Sequence, residues 1–274
     1  MSLKTAISTN KPKYATKKPS YFNLHFSHKN SIIFIGKRIF MHDTMHEDER
    51  SRLMATWIVH LRLADEYIKR GDIPAKYKRE FVLGSVAPDC GYGKKDSNGE
   101  FMPPPEVTHW APGGVKLYCE YWKFLDTYLK DRERDGDYYF YLGYYIHLIT
   151  DIIWSSTMYL PTKIKYADEY RDDPDFLRVI KGDWYDLDFK FLREHPDFEP
   201  YKMLAERKPV KDYLPYYEPG QLTVQTAFIA DYYANAGDRV LDREYPYLDE
   251  RTMNEFITCT TELVDCDLNR KGLL

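Results

Sequence analysis

A chain of 274 residues is long enough to bury a substantial core, as one large domain or two small ones. Its formal net charge of −4 and pI near 6.1 provide no global basic field, so non-specific nucleic-acid binding through counterion release is unsupported. No run of about 18 apolar residues exists to span a bilayer, and the N-terminal region lacks the contiguous apolar core of a signal peptide. A cytoplasmic protein is expected.

Charged residues make up 30% and hydrophobic residues 43%, ordinary for a globular protein, but aromatic residues reach 16% with 25 tyrosines. Tyrosine buries a ring while keeping a hydrogen-bonding tip, which suits core packing first and polar clefts second. Cys90, Cys119, Cys259 and Cys266 are scattered and form no Cys-x-x-Cys pair, so neither a disulfide framework nor a thiolate zinc site is expected. Cys259 and Cys266, seven apart, are expected to share the buried face of one helix.

Residues 1–53 are rich in Lys, Ser, Thr and Asn with little helical periodicity, and read as an appended or poorly ordered arm. The globular pattern starts near Met54, giving a single α-helical domain over 54–274. Trp57, Ile58, Leu61, Ala64 and Ile68 stand at helical spacing. A second helix over 75–86 stops at Ala87-Pro88-Asp89, because proline biases its predecessor away from helix. Residues 90–108, with Pro103-Pro104-Pro105, read as a long loop of the kind that often carries function. A third helix is expected over 114–129. A fourth runs over 137–159, opened by Asp135-Gly136-Asp137 as turn and cap. Beyond a charged turn at 171–175, helices are expected over 184–194, 222–235 and 248–264, with a proline-broken loop over 196–219. No convincing strand alternation and no fixed-period repeat appears, so the fold class is all-α, a multi-helix bundle.

His147 and Asp151 carry the most chemical information. Four apart within the apolar run YYFYLGYYIHLITDIIW, they project from one face of one helix. Buried polar groups need partners, and a buried imidazole–carboxylate hydrogen bond is one solution. A divalent ion is another. His60 in the first helix, Asp89 at a helix-to-loop junction and His109 after a proline run complete three imidazoles and two carboxylates, the N and O donors that zinc takes at about 2.0–2.2 Å. His42-Asp43 and His46 invite comparison with HD-type phosphohydrolases, but a polar setting favours solvated surface.

The ordered set of His60, then FVLGSVAPD ending at Asp89, then Thr108-His109, then GYYIHLITD ending at Asp151 resembles the zinc-dependent phospholipase C family, related to the single-strand-specific zinc nucleases. The resemblance covers 54–154. It implies an all-helical fold and hydrolysis of phosphoric esters by metal-bound hydroxide. By position, it implies that His109, His147, Asp151 and Asp89 are metal ligands, that Asp89 is also the candidate base, and that His60 serves a neighbouring ion bridged through Asp151. It further suggests that Met54 is the natural beginning of the fold. The chain departs from the three-metal pattern in placing Thr157 six residues beyond Asp151. His195 and Glu199 have the spacing of the family's later pair, but Pro196 and Pro200 interrupt a helix face there. Trp57, being internal, cannot supply an α-amino ligand. One or two zinc ions, or other divalent metals, are therefore expected, in an intracellular member with fewer metals. The expected partner is a small phosphate ester or a lipid head group; nothing signals an oligomeric state. No phosphate-clamping arginine or lysine stands out, since Arg62, two residues from His60, points to another face. The alternatives are an HD-like metal phosphohydrolase and a catalytically silent, metal-stabilised binding module.

Overall fold

The computed structural model describes residues 54–93, 101–173 and 175–274. By contacts the chain divides into Met1–Thr44 and Met45–Leu274. The described residues belong to the second unit, so the expected arm over 1–53 and the His42, Asp43 and His46 group lie outside them.

The expected all-α class holds. Helix α1 (Trp57–Arg70) buries Ile58, Leu61, Ala64 and Ile68 and ends at Gly71, whose φ of +80° closes the last turn. Helix α2 (Lys78–Val86), entered through a single 3-10 turn, runs into a second one, Ala87–Asp89. Two-residue strands β1 (Tyr92–Gly93) and β2 (Phe101–Met102) pair antiparallel, Tyr92 opposite Met102, and a short helix α3 (Pro105–Thr108) follows.

The continuous helix expected over 114–129 is not formed. Its first part breaks into 3-10 turns at Pro112–Gly114 and Lys116–Tyr118, because Gly113 and Gly114 take φ of +67° and +71°. Only helix α4 (Tyr121–Phe124) and a wider turn at Leu125–Leu129 follow.

Helix α5 (Gly136–Trp154) starts at Asp135, whose side chain accepts the Tyr138 N–H at 2.9 Å. It is apolar on all sides and nearly every residue is buried, so it forms the axis of the domain. It continues through a wider turn, Ser155–Tyr159, into α6 (Leu160–Lys165) and α7 (Ala167–Asp172).

Helix α8 (Phe176–Glu194) begins eight residues before the expected 184. Helix α9 (Glu199–Ala205) lies inside what the prolines suggested was loop. Helices α10 (Gln221–Tyr233) and α11 (Glu250–Lys271) complete the order, the last capped by Asp249 through the Thr252 N–H. Cys259 and Cys266 do share a face of α11, but it is the exposed one. All four cysteines are free. No helix among the described residues is long and apolar enough to cross a membrane.

Two glycines set the closest packing. A Cβ at Gly84 in α2 would lie 1.9 Å from the Phe140 carbonyl oxygen, and one at Gly143 in α5 would lie 2.2 Å from that of Phe81. The two backbones therefore meet without side chains between them, and the α5 face carrying His147 is pressed against the end of α2.

Candidate metal centre

All five polar residues singled out from the sequence meet in one place. His60 comes from α1, Asp89 from the turn after α2, His109 from the residue capping α3, and His147 and Asp151 from α5. Their side chains are at most 3% exposed. Donor atoms of His60, His147 and Asp151 lie within 4.8 Å of one another, as do those of Asp89, His109 and His147.

Local hydrogen bonds fix which ring nitrogens face the cluster. The Ser85 carbonyl can only accept, so His147 Nδ1 carries its hydrogen toward it at 2.8 Å and Nε2 points inward. The same logic applies to His109. Lys116 Nζ, which can only donate, stands 2.7 Å from His109 Nε2, so Nδ1 carries the hydrogen and donates to Thr108 Oγ1 at 2.9 Å. Tyr144 in turn donates its hydroxyl to the Thr108 carbonyl and accepts from Tyr216 at 2.8 Å. Tyr217 donates to the Ala87 carbonyl at 2.5 Å, and Gln221 Nε2 to that of Cys90 at 2.8 Å. The tyrosine surplus thus holds the two loops that present Asp89 and His109.

Inside the cluster, acceptors face acceptors. His109 Nε2 is 3.1 Å from Asp89 Oδ1, 3.5 Å from Asp151 Oδ2 and 3.3 Å from His147 Nε2. His147 Nε2 is 3.5 Å from Asp151 Oδ2 and 3.8 Å from Asp89 Oδ1. Four donors bound tetrahedrally at about 2.0–2.2 Å around zinc would stand about 3.3–3.6 Å apart, so this set fits such an ion in both chemistry and spacing. Neither ring nitrogen of His60 has a well-formed hydrogen bond, nor does Asp89 Oδ2. Buried polar atoms without partners are rare, and a cation, or the water it would carry, would satisfy them. His60 Nε2 stands 3.4 Å from Asp151 Oδ1, its ring stacked on His147 with centroids 3.6 Å apart.

The charge states follow from burial and neighbours. Burial pushes the His60 imidazole down to about 4, with His147 adding to the effect. Burial and then the Lys116 ammonium bring His109 to about 4. Both rings are neutral at pH 7, as metal ligation requires. Burial alone would raise Asp89 and Asp151, but Lys116 and then His147 outweigh it and hold both carboxyls below the usual range.

Lys116 is the member that the sequence did not reveal. It starts the 3-10 turn Lys116–Tyr118, its side chain is 1% exposed, and Nζ donates to Asp151 Oδ2 at 2.8 Å. Its nearest sequence signal, GGVKLY, looks like any surface turn. Arg62 does point elsewhere, bonding Asn254 at 2.6 Å. Thr157 is exposed and bonded to the Ile153 carbonyl. His195 and Glu199, exposed, end α8 and start α9 rather than sharing a helix.

Fold and cluster together define an all-α protein with a buried imidazole–carboxylate centre able to hold a divalent cation. Residues 58–156, a segment that contains His60, Asp89, His109, Lys116, His147 and Asp151, match the family described as zinc dependent phospholipase C. No curated protein and no solved structure matches the chain. Family and cluster together support a metal-dependent hydrolase.

Proposed function

We propose that the protein hydrolyses phosphoric esters at a centre in which Asp89, His109, His147 and Asp151 hold a zinc or other divalent ion, with His60 and Asp151 directed to a second ion. The observation that carries this reading is the convergence of imidazole and carboxylate lone pairs at 3.1–3.8 Å in a buried site, arranged with too few hydrogens to satisfy them. When bound, the ion supplies Lewis acidity, acidifying water and drawing charge from a phosphoryl oxygen.

The chain's own residues do the rest. Ser85 and Thr108 fix the tautomers of His147 and His109, so that each presents Nε2. The Ala55 N–H donates to Asp151 Oδ1 at 3.2 Å and holds that carboxylate in register. Asp89 keeps Oδ2 without a partner and is the group placed to accept or orient a water proton. The substrate is a small phosphate ester or lipid head group, and four free cysteines accord with a reducing compartment, the cytoplasm.

A second reading, a catalytically silent helical binding module, is favoured by one observation: Lys116 already supplies a positive charge to both carboxylates. Elemental analysis together with turnover of bis-p-nitrophenyl phosphate separates the two. Bound metal with turnover that chelator removes is the expected result. Bound metal without turnover on this and other phosphate esters would leave the silent module.

A further inference from the structure

We propose that Lys116 is a resident cation of this centre, and that a divalent ion enters only by displacing its ammonium group. The inference rests on the metal-centre reading above and concerns how that centre is loaded.

Competition for atoms is the first reason. Lys116 Nζ lies 2.7 Å from His109 Nε2, 2.8 Å from Asp151 Oδ2 and 3.7 Å from Asp89 Oδ1. These are three of the four inward-facing donors. His109 has one inward lone pair, on Nε2, because Nδ1 carries the hydrogen bonded to Thr108. That pair can meet an N–H of Lys116 or a metal ion, not both.

Charge gives the second reason. Two carboxylates with one ammonium leave the pocket at −1, and two carboxylates with one divalent ion bring it to zero. An ion bound while the ammonium stays would set two cations against each other at the same carboxylate and imidazole atoms, among side chains at most 3% exposed.

The third reason is the element that carries the residue. Lys116 opens a one-turn 3-10 segment one residue beyond Gly113 and Gly114, both at positive φ, and Tyr118 at its end is exposed. A lysine on a flexible four-carbon stem at the edge of the site, unlike one in mid-helix, has somewhere to go. Such a device leaves the folded centre partly neutralised without metal and lowers its affinity for the ion.

The test uses the full-length protein, treated with chelator or with Zn2+, and amine acylation read by mass spectrometry. Lys116 is expected to be protected in chelator and to gain at least tenfold in labelling on zinc addition, with Lys69, exposed in either state, as the reference. In parallel, Lys116→Met is expected to bind Zn2+ at least tenfold more tightly than wild type in competition with a chromophoric chelator. Zinc bound only by the variant would also support the proposal, as the same competition at its limit. Zinc bound equally by both proteins, with Lys116 still protected, would overturn the proposal and leave the metal centre standing. Zinc bound by neither would remove the metal centre, and the proposal with it. The labelling is read on the wild-type chain, so it holds even if Lys116→Met folds poorly.

Discussion

Asp188 in α8 shows how an individual group behind the cluster shapes the pH response. It is fully buried, and burial pushes its carboxyl up to about 7 against the hydrogen bonds it accepts from Tyr233 at 2.6 Å and Thr56 at 2.9 Å. Its folded value lies above its ordinary one near 3.8, so the native state binds more protons than the unfolded chain between these limits. Its contribution to stability is complete below about pH 3.8 and is lost as pH rises toward about 7, on the order of 1.4 kcal/mol per pH unit. His60 and His109 act in the opposite sense. Their folded values near 4 lie below the ordinary 6.5, so stability falls as pH drops through that window. Denaturant unfolding of metal-free wild type and Asp188→Asn from pH 4.5 to 7.5 isolates the carboxyl. The variant is expected to gain on the wild type as pH rises, and parallel curves would show that Asp188 is ionised throughout. Asp151→Asn should abolish zinc binding measured by calorimetry, because Asp151 faces His60, His109, His147 and Lys116 at once. Retained binding would exclude it as a ligand. All five donors were legible in the sequence as polar residues in apolar surroundings. Lys116 was not, because nothing local distinguishes a buried lysine in a glycine turn from an exposed one.

At the scale of elements, the contact between α2 and α5 determines whether the site assembles. Gly143→Ala puts a methyl group 2.2 Å from a backbone oxygen, which no rotamer change relieves. The expected loss of stability is at or above the upper end of about 1–3 kcal/mol, with zinc affinity falling too, because the His147–Ser85 bond depends on that register. Gly182→Ala in α8 is the control. Its Cβ would meet nothing within 4 Å, and alanine is expected to stabilise that helix by about 0.5–1 kcal/mol. If the two substitutions shifted the denaturation midpoint alike, close backbone approach would not be what matters at Gly143. Apolar spacing revealed α1, and apolar runs bounded by turn, cap or proline signals revealed α2 and α5, while α10 and α11 were also legible as helices. It misread 114–129, where apolar residues recur but two consecutive glycines turn the chain. It also missed α9, because Pro200 reads as a breaker and is in fact in the first turn, where its missing N–H costs nothing.

On the scale of the molecule, the family match ends at residue 156, yet the groups that hold the site do not. Tyr216, Tyr217 and Gln221 secure the Ala87–Cys90 and Thr108 backbones from outside it. Asp188 holds Thr56 through its hydroxyl, and Tyr145 of α5 donates to Asp267 of α11 at 2.7 Å. Trp154 is wedged edge-on against Trp184 and Phe256, ring centroids 5.0 Å away in each case, so the end of α5 is buried by α8 and α11. Motif reading could not reach these partners, because a tyrosine hydroxyl bonded to a distant carbonyl leaves no periodic trace. They make a definite prediction about where the domain lies. A chain of residues 54–274 is expected to unfold in denaturant within about 0.5 kcal/mol of the full chain and to bind zinc equally, since the bonds just named are retained in it. A chain of residues 54–156 keeps every donor and Lys116, yet uncovers Trp154, Tyr144 and Tyr145 and removes the bonds that pin both loops. It is expected to show no cooperative unfolding and no stoichiometric zinc binding by calorimetry. Full zinc affinity in that short piece would mean that the segment matched by the family is self-sufficient and that α8, α10 and α11 only cover it.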